Sequence, residues 1–144
     1  MQNQGFTPLE TPDAMLSAST ELVQQAHQSQ VEHNGYIHGE TSRDGKQNIS
    51  GEIAVTTPDG AVSIGAYPDG GRSEAMIEDT DGTKRFVNVN TPTDQVFVRT
   101  VSPSGERTMT TDSAEASRIY DEAVEKIAAF ITKHEAESKE DEAA

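Results

Sequence analysis

Turn-forming residues punctuate the middle of this chain every ten to twelve positions, and that spacing constrains the fold more than any other feature. The turns are Thr57-Pro58-Asp59-Gly60, Tyr67-Pro68-Asp69-Gly70, Asp79-Thr80-Asp81-Gly82, Thr91-Pro92-Thr93-Asp94 and Ser102-Pro103-Ser104-Gly105. Proline at the second turn position fixes φ for a type I turn, and glycine after aspartate supplies the positive φ that lets a short hairpin return in register. Gly60, Gly70, Gly82 and Gly105 are expected in that role, with Asp94 filling it in the fourth turn. Between the turns, apolar residues alternate with period two: Ile49, Gly51, Ile53 and Val55; Val62, Ile64 and Ala66; Ala75 and Ile77; Val87 and Val89; Val96 and Val98. A last short segment, Arg107 to Thr111, is polar around Met109. Connections this short cannot carry a crossover, so neighbouring strands must pair antiparallel. The pattern predicts a meander of five or six strands.

Helical spacing replaces period two on either side. Thr11-Pro12-Asp13 has the form of a helix start, with Thr as N-cap and Pro at the first helical position. Met15, Leu16, Leu22, Val23 and Ala26 then form a narrow stripe that includes Ser19, and Asn34-Gly35 offers a stop, which predicts a first helix over 12–33. Residues 39–48 read as a polar loop. Asp112-Ser113-Ala114-Glu115 has the form of a capping box, and Ala116, Ile119, Tyr120, Ala123, Val124, Ile127, Phe130 and Ile131 follow at steps of three and four. Glu122 and Lys126 form a favourable i,i+4 pair. The expected architecture is α+β: an N-terminal helix, a five- to six-stranded antiparallel meander, and a C-terminal amphipathic helix packed on one sheet face. The expected limits are a flexible tail at 1–10, one domain over 11–136, and an acidic flexible tail at 137–144.

Composition excludes several functions. The chain has 144 residues, no Cys and a net charge of −14, from 25 Asp+Glu against 11 Lys+Arg. Without Cys there is no disulfide framework, thiolate metal site or Cys nucleophile. No apolar run is long enough to span a membrane, and no basic start leads into an apolar leader, so a cytoplasmic location is expected. Acidity of this degree argues against direct nucleic-acid binding, which needs Lys and Arg against phosphate.

Chemistry-bearing residues do not assemble into a recognised template. Glu32, His33 and His38 lie close in sequence but not at metal-ligand spacing, and no metal or cofactor is expected. Asp79-Thr80-Asp81-Gly82 echoes the opening of a calcium loop without its later ligands, and a hairpin turn explains the same residues. Ser63 in Ala-Val-Ser-Ile-Gly lacks the first glycine of a nucleophile elbow. No catalytic residues are expected.

The leading expectation is therefore a non-catalytic protein-interaction module: a small acidic adaptor, an assembly factor or a secretion-type chaperone, with a protein partner or self-association into a dimer. Two alternatives are an acidic inhibitor that mimics nucleic acid and a small hydrolase-like enzyme using the His33/His38 loop. If Val87, Val89, Val96 and Val98 fill the core side, period two sends Phe86, Asn88, Phe97 and Arg99 to the other face. These four are the expected partner-binding residues, with Phe86 and Phe97 on neighbouring strands as a candidate cross-strand aromatic pair.

Overall fold

The computed structural model describes residues 11–30, 35–41, 43, 45, 47–58 and 60–143. Helix α1 spans Pro12–Gln28, and seven strands follow: β1 Ile37–Thr41, β2 Gln47–Thr57, β3 Gly60–Tyr67, β4 Arg72–Glu78, β5 Lys84–Asn90, β6 Gln95–Val101 and β7 Arg107–Thr110. Helix α2 spans Ser113–Ala143 and so continues through the acidic segment. The strands form one antiparallel sheet in chain order, a pure meander. The fold class is the expected α+β.

The additional strand is β1, which occupies the start of the stretch expected to be a polar loop. Ile37↔Gly51 through Thr41↔Gln47 pair it with the lengthened β2. An edge strand has one neighbour and can be largely polar, so Ile-His-Gly-Glu-Thr carries no period-two signal that distinguishes it from a loop.

Turn chemistry acts largely as the sequence predicts. Gly60, Gly82 and Gly105 take positive φ, and Asp94 takes the left-handed conformation at φ 55°. The second turn differs: Pro68–Gly70 forms a short 3-10 turn and Gly71, not Gly70, takes the left-handed position.

The Thr11 side chain caps α1 by accepting from the Ala14 N–H at 3.1 Å, as Thr-Pro-Asp implies. The helix ends at Gln28 rather than near residue 33, because Gln30 takes a left-handed conformation after Ser29. The Ser29 hydroxyl donates to Glu135 of α2 at 2.7 Å, which ties this end to the second helix. At the start of α2, Asp112 accepts from the Ala114 N–H at 3.1 Å. The reciprocal half of the expected capping box is replaced: the Asp112 N–H donates to Thr110 Oγ1, not to Glu115.

Both helices pack on one face of the sheet, with α1 against β2 and β3 beside α2. Met15, Leu22, Val23 and Ala26 of α1 meet Ile119, Tyr120, Ile127 and Ile131 of α2 over the inward residues Ile53, Ile64, Ile77, Val87 and Val98. Val124 and Phe130, expected as core residues, are only partly buried at its margin. The core holds a polar centre: the buried Ser19 hydroxyl bonds the Tyr120 hydroxyl, which donates to the Glu74 backbone carbonyl at 3.4 Å. Burial pushes the Tyr120 phenol up to about 12. Arg85 links the sheet to α2 by donating to Asp79 at 3.1 Å and to Glu122 at 3.2 Å, and Glu122 also meets Lys126 at 3.5 Å.

Candidate functional site

With both helices on one face, the opposite face of the sheet has no layer over it among the described residues. Strand alternation decides what this outer face displays. Register places Tyr36, Glu52, Gly65, Glu74, Asn88 and Phe97 in one transverse row, each beside the next across neighbouring strands. A second row, one step along the strands, runs Met76, Phe86, Arg99 and Met109. Among the described residues, the large apolar side chains that stay exposed are Tyr36 (65%), Tyr67 (40%), Phe97 (37%) and Met109 (69%), and all four belong to this face.

All four residues expected from the sequence to bind a partner lie on this face, but their pairing differs from the expectation. Phe86 and Phe97 are not directly opposite. Phe86 faces Arg99, and Asn88 faces Phe97. The Arg99 guanidinium sits 4.3 Å from the centre of the Phe86 ring, a cation–π contact, so Phe86 is half-buried beneath an arginine. The sequence reading missed Tyr36, Tyr67, Met76 and Met109, and also Glu52 and Glu74. The sequence offers Tyr67 as a turn residue, although its place one step beyond Gly65 and Ala66 fixes its face.

Charge divides the outer face in two. Strands β5 to β7 present Lys84, Arg99 and Arg107 with no carboxylate among their outward residues, while β2 and β4 present Glu52, Glu74 and Glu78 together with one exposed cation, Arg72, opposite Tyr67. Glu52 and Glu74 stand on either side of Gly65. A side chain at Gly65 would meet Glu74 Cγ at 3.1 Å and Tyr67 Cε2 at 3.3 Å. The tyrosine ring and the glutamate stem therefore lie flat on the sheet where the glycine leaves space. Burial, and then the neighbouring Glu52, push the Glu74 carboxyl above the ordinary carboxylate range. Burial, with Glu74 and Glu52 after it, likewise raises the Tyr67 phenol.

Two open grooves flank Tyr67. One, of about 620 Å³, runs along Arg72, Glu74, Asn88, Asn90 and Phe97. The other, of about 530 Å³, is lined by Tyr36, His38, Ser50 and Glu52. Gly51 shapes the second groove: it has φ 136°, and a Cβ there would lie 2.2 Å from the Tyr36 carbonyl oxygen, which accepts the Glu52 N–H at 2.8 Å. Only glycine permits this approach, which sets Tyr36 beside Glu52.

The remaining sequence candidates fall elsewhere. Glu32 and His33 lie outside the described residues; His38 stacks on Tyr36 with ring centres 6.4 Å apart. Among the described residues no group of three His, Asp or Glu is placed to hold a metal ion. Asp79 and Asp81 form a tight hairpin, with the Thr83 N–H donating to Asp81 at 2.8 Å and holding that carboxyl below its usual range. No helix among the described residues is long and apolar enough to cross a membrane. No protein-family model, curated protein sequence or solved structure matches the chain.

Proposed function

We propose that this chain is a non-catalytic protein-interaction module that docks its partner on the outer face of the sheet. The observation that carries the reading is that, among the described residues, the exposed large apolar side chains, Tyr36, Tyr67, Phe97 and Met109, are confined to the one face that neither helix covers. Aromatic side chains exposed on a rigid scaffold are the usual anchors of protein interfaces. Seven strands at about 4.8 Å spacing and strands of about seven residues give a face of roughly 650 Å². That is close to the ~800 Å² that each partner contributes to an interface of standard size.

The helical layer supports the reading by contrast. Most apolar side chains of α1 and α2 are buried in the core, a few such as Val124 and Phe130 lie at its margin, and none of the exposed large apolar side chains among the described residues is on a helix. The testing experiment is affinity capture from the native host with the wild-type chain and with a Phe97→Ser, Met109→Ser variant. A partner held by the wild type and lost from the variant, with both proteins melting alike, is the expected result. A partner retained by the variant contradicts the proposal.

A further inference from the structure

Resting on that reading of the outer face, we infer that the occupant is an extended polypeptide segment of a partner protein that carries a lysine or arginine, lies across the strands along the row from Tyr36 to Phe97, and places an apolar side chain on Phe97. Charge complementarity carries the inference. Over β2 to β4 the outward carboxylates Glu52 and Glu74 bracket the Tyr67 ring, and neither carboxylate has an ion-pair partner among the described residues. A cation laid over that ring gains a π face and a carboxylate on each side. The net charge of −14 draws cationic segments toward the chain as a whole. A cation would also offset the Glu52 charge, which after burial is the second cause that raises the Glu74 carboxyl.

The other half of the face fixes the orientation. Lys84, Arg99 and Arg107 on β5 to β7 repel basic residues, whereas β2 to β4 carry three outward carboxylates against the single outward cation Arg72 among the described residues, so the cationic part of the segment belongs over β2 to β4 and the uncharged part over β5 and β6. Asn88, beside Phe97, offers amide hydrogen bonds to a passing peptide backbone. The row crosses five strand intervals, about 24 Å, which an extended chain covers with about seven residues. Gly65 to Phe97 is three intervals, about 14 Å. The cationic and apolar residues of the segment are therefore about four positions apart.

The test is selection of a random seven-residue displayed peptide library on the full chain. Fluorescence anisotropy of the enriched peptides, synthesised and labelled, follows on the wild type, a Glu52→Gln, Glu74→Gln variant, and Tyr36→Ser and Phe97→Ser variants that each melt like the wild type. The expected result is enrichment of Lys or Arg three to four positions from an apolar or aromatic residue, with Kd weakened about tenfold by the double glutamine variant and also by Tyr36→Ser and Phe97→Ser. Peptides without a basic excess that bind the double glutamine variant unchanged, yet are lost from Phe97→Ser, overturn the basic chemistry and leave the face standing. Peptides held equally by Tyr36→Ser and Phe97→Ser overturn both. Absence of enrichment, or a concentration-dependent dimer abolished by Phe97→Ser, overturns the peptide as occupant.

Discussion

Ser19 and Tyr120, 101 positions apart in the chain, share a hydrogen bond at the centre of the core. Each is fully buried, and each belongs to a different helix, so the bond fixes α1 against α2 over the sheet. Tyr120→Phe leaves the Ser19 hydroxyl buried without that partner, at an expected cost of about 1–3 kcal/mol in a denaturant melt. Adding Ser19→Ala to Tyr120→Phe should recover part of the loss, because an apolar pair has nothing left to satisfy. Strictly additive costs would show that the two hydroxyls are not coupled.

The same phenol makes stability depend on pH in the alkaline range. Its value of about 12 in the folded chain lies above the ordinary 10.0. Above pH 10 the unfolded chain ionises Tyr120 while the folded chain holds it neutral, so this group's contribution to stability falls as pH rises from 10 toward 12. Tyr120→Phe removes this contribution, and urea melts across that range should show a shallower decline for the variant.

Ile127 is fully buried on the α2 face that meets the sheet. Ile127→Ala is expected to cost about 2–5 kcal/mol, the range for a large-to-small change that leaves a cavity. A shift under ~0.5 kcal/mol in a denaturant melt would show that α2 is not anchored there.

Glu74 is expected to oppose folding at neutral pH. Its carboxyl is raised in the folded chain, so the folded state binds a proton that the unfolded state has already released. Stability is therefore favoured at low pH and declines as pH rises from the ordinary carboxylate value through the raised one. Glu74→Gln should melt higher than the wild type at pH 7, with the difference vanishing below the ordinary carboxylate range. A lower melt for the variant at pH 7 contradicts this account. A carboxylate that costs stability in the free chain is consistent with a use in binding.

Much of the architecture is legible in the sequence because each signal has a local physical cause. Proline and glycine in the turns, period two between them, and the stripe from Ala116 to Ile131 all follow from backbone sterics and one-sided burial. What escapes is set by context. β1 is polar because an edge strand has no second neighbour to satisfy. Gln30 ends α1 early through a left-handed conformation that a glutamine does not advertise. The outer face was legible as a face, since Phe86, Asn88, Phe97 and Arg99 share it, but its pairs were not. Whether Phe86 meets Phe97 or Arg99 depends on a two-residue shift of register, which leaves the same residues on the outer face and so leaves no mark in the period-two pattern. The row from Tyr36 to Phe97 joins residues of six segments, and only the sheet brings them together.

Whether a partner covers the outer face of the sheet is read out by hydroxyl-radical footprinting of the chain, purified and in native-host extract. Tyr36, Tyr67, Phe97 and Met109 are expected to react readily in the purified chain and to lose reactivity together in extract, while exposed residues of α1 and α2 keep theirs. Unchanged reactivity at these four positions, with protection of the helical layer instead, would contradict docking on the outer face.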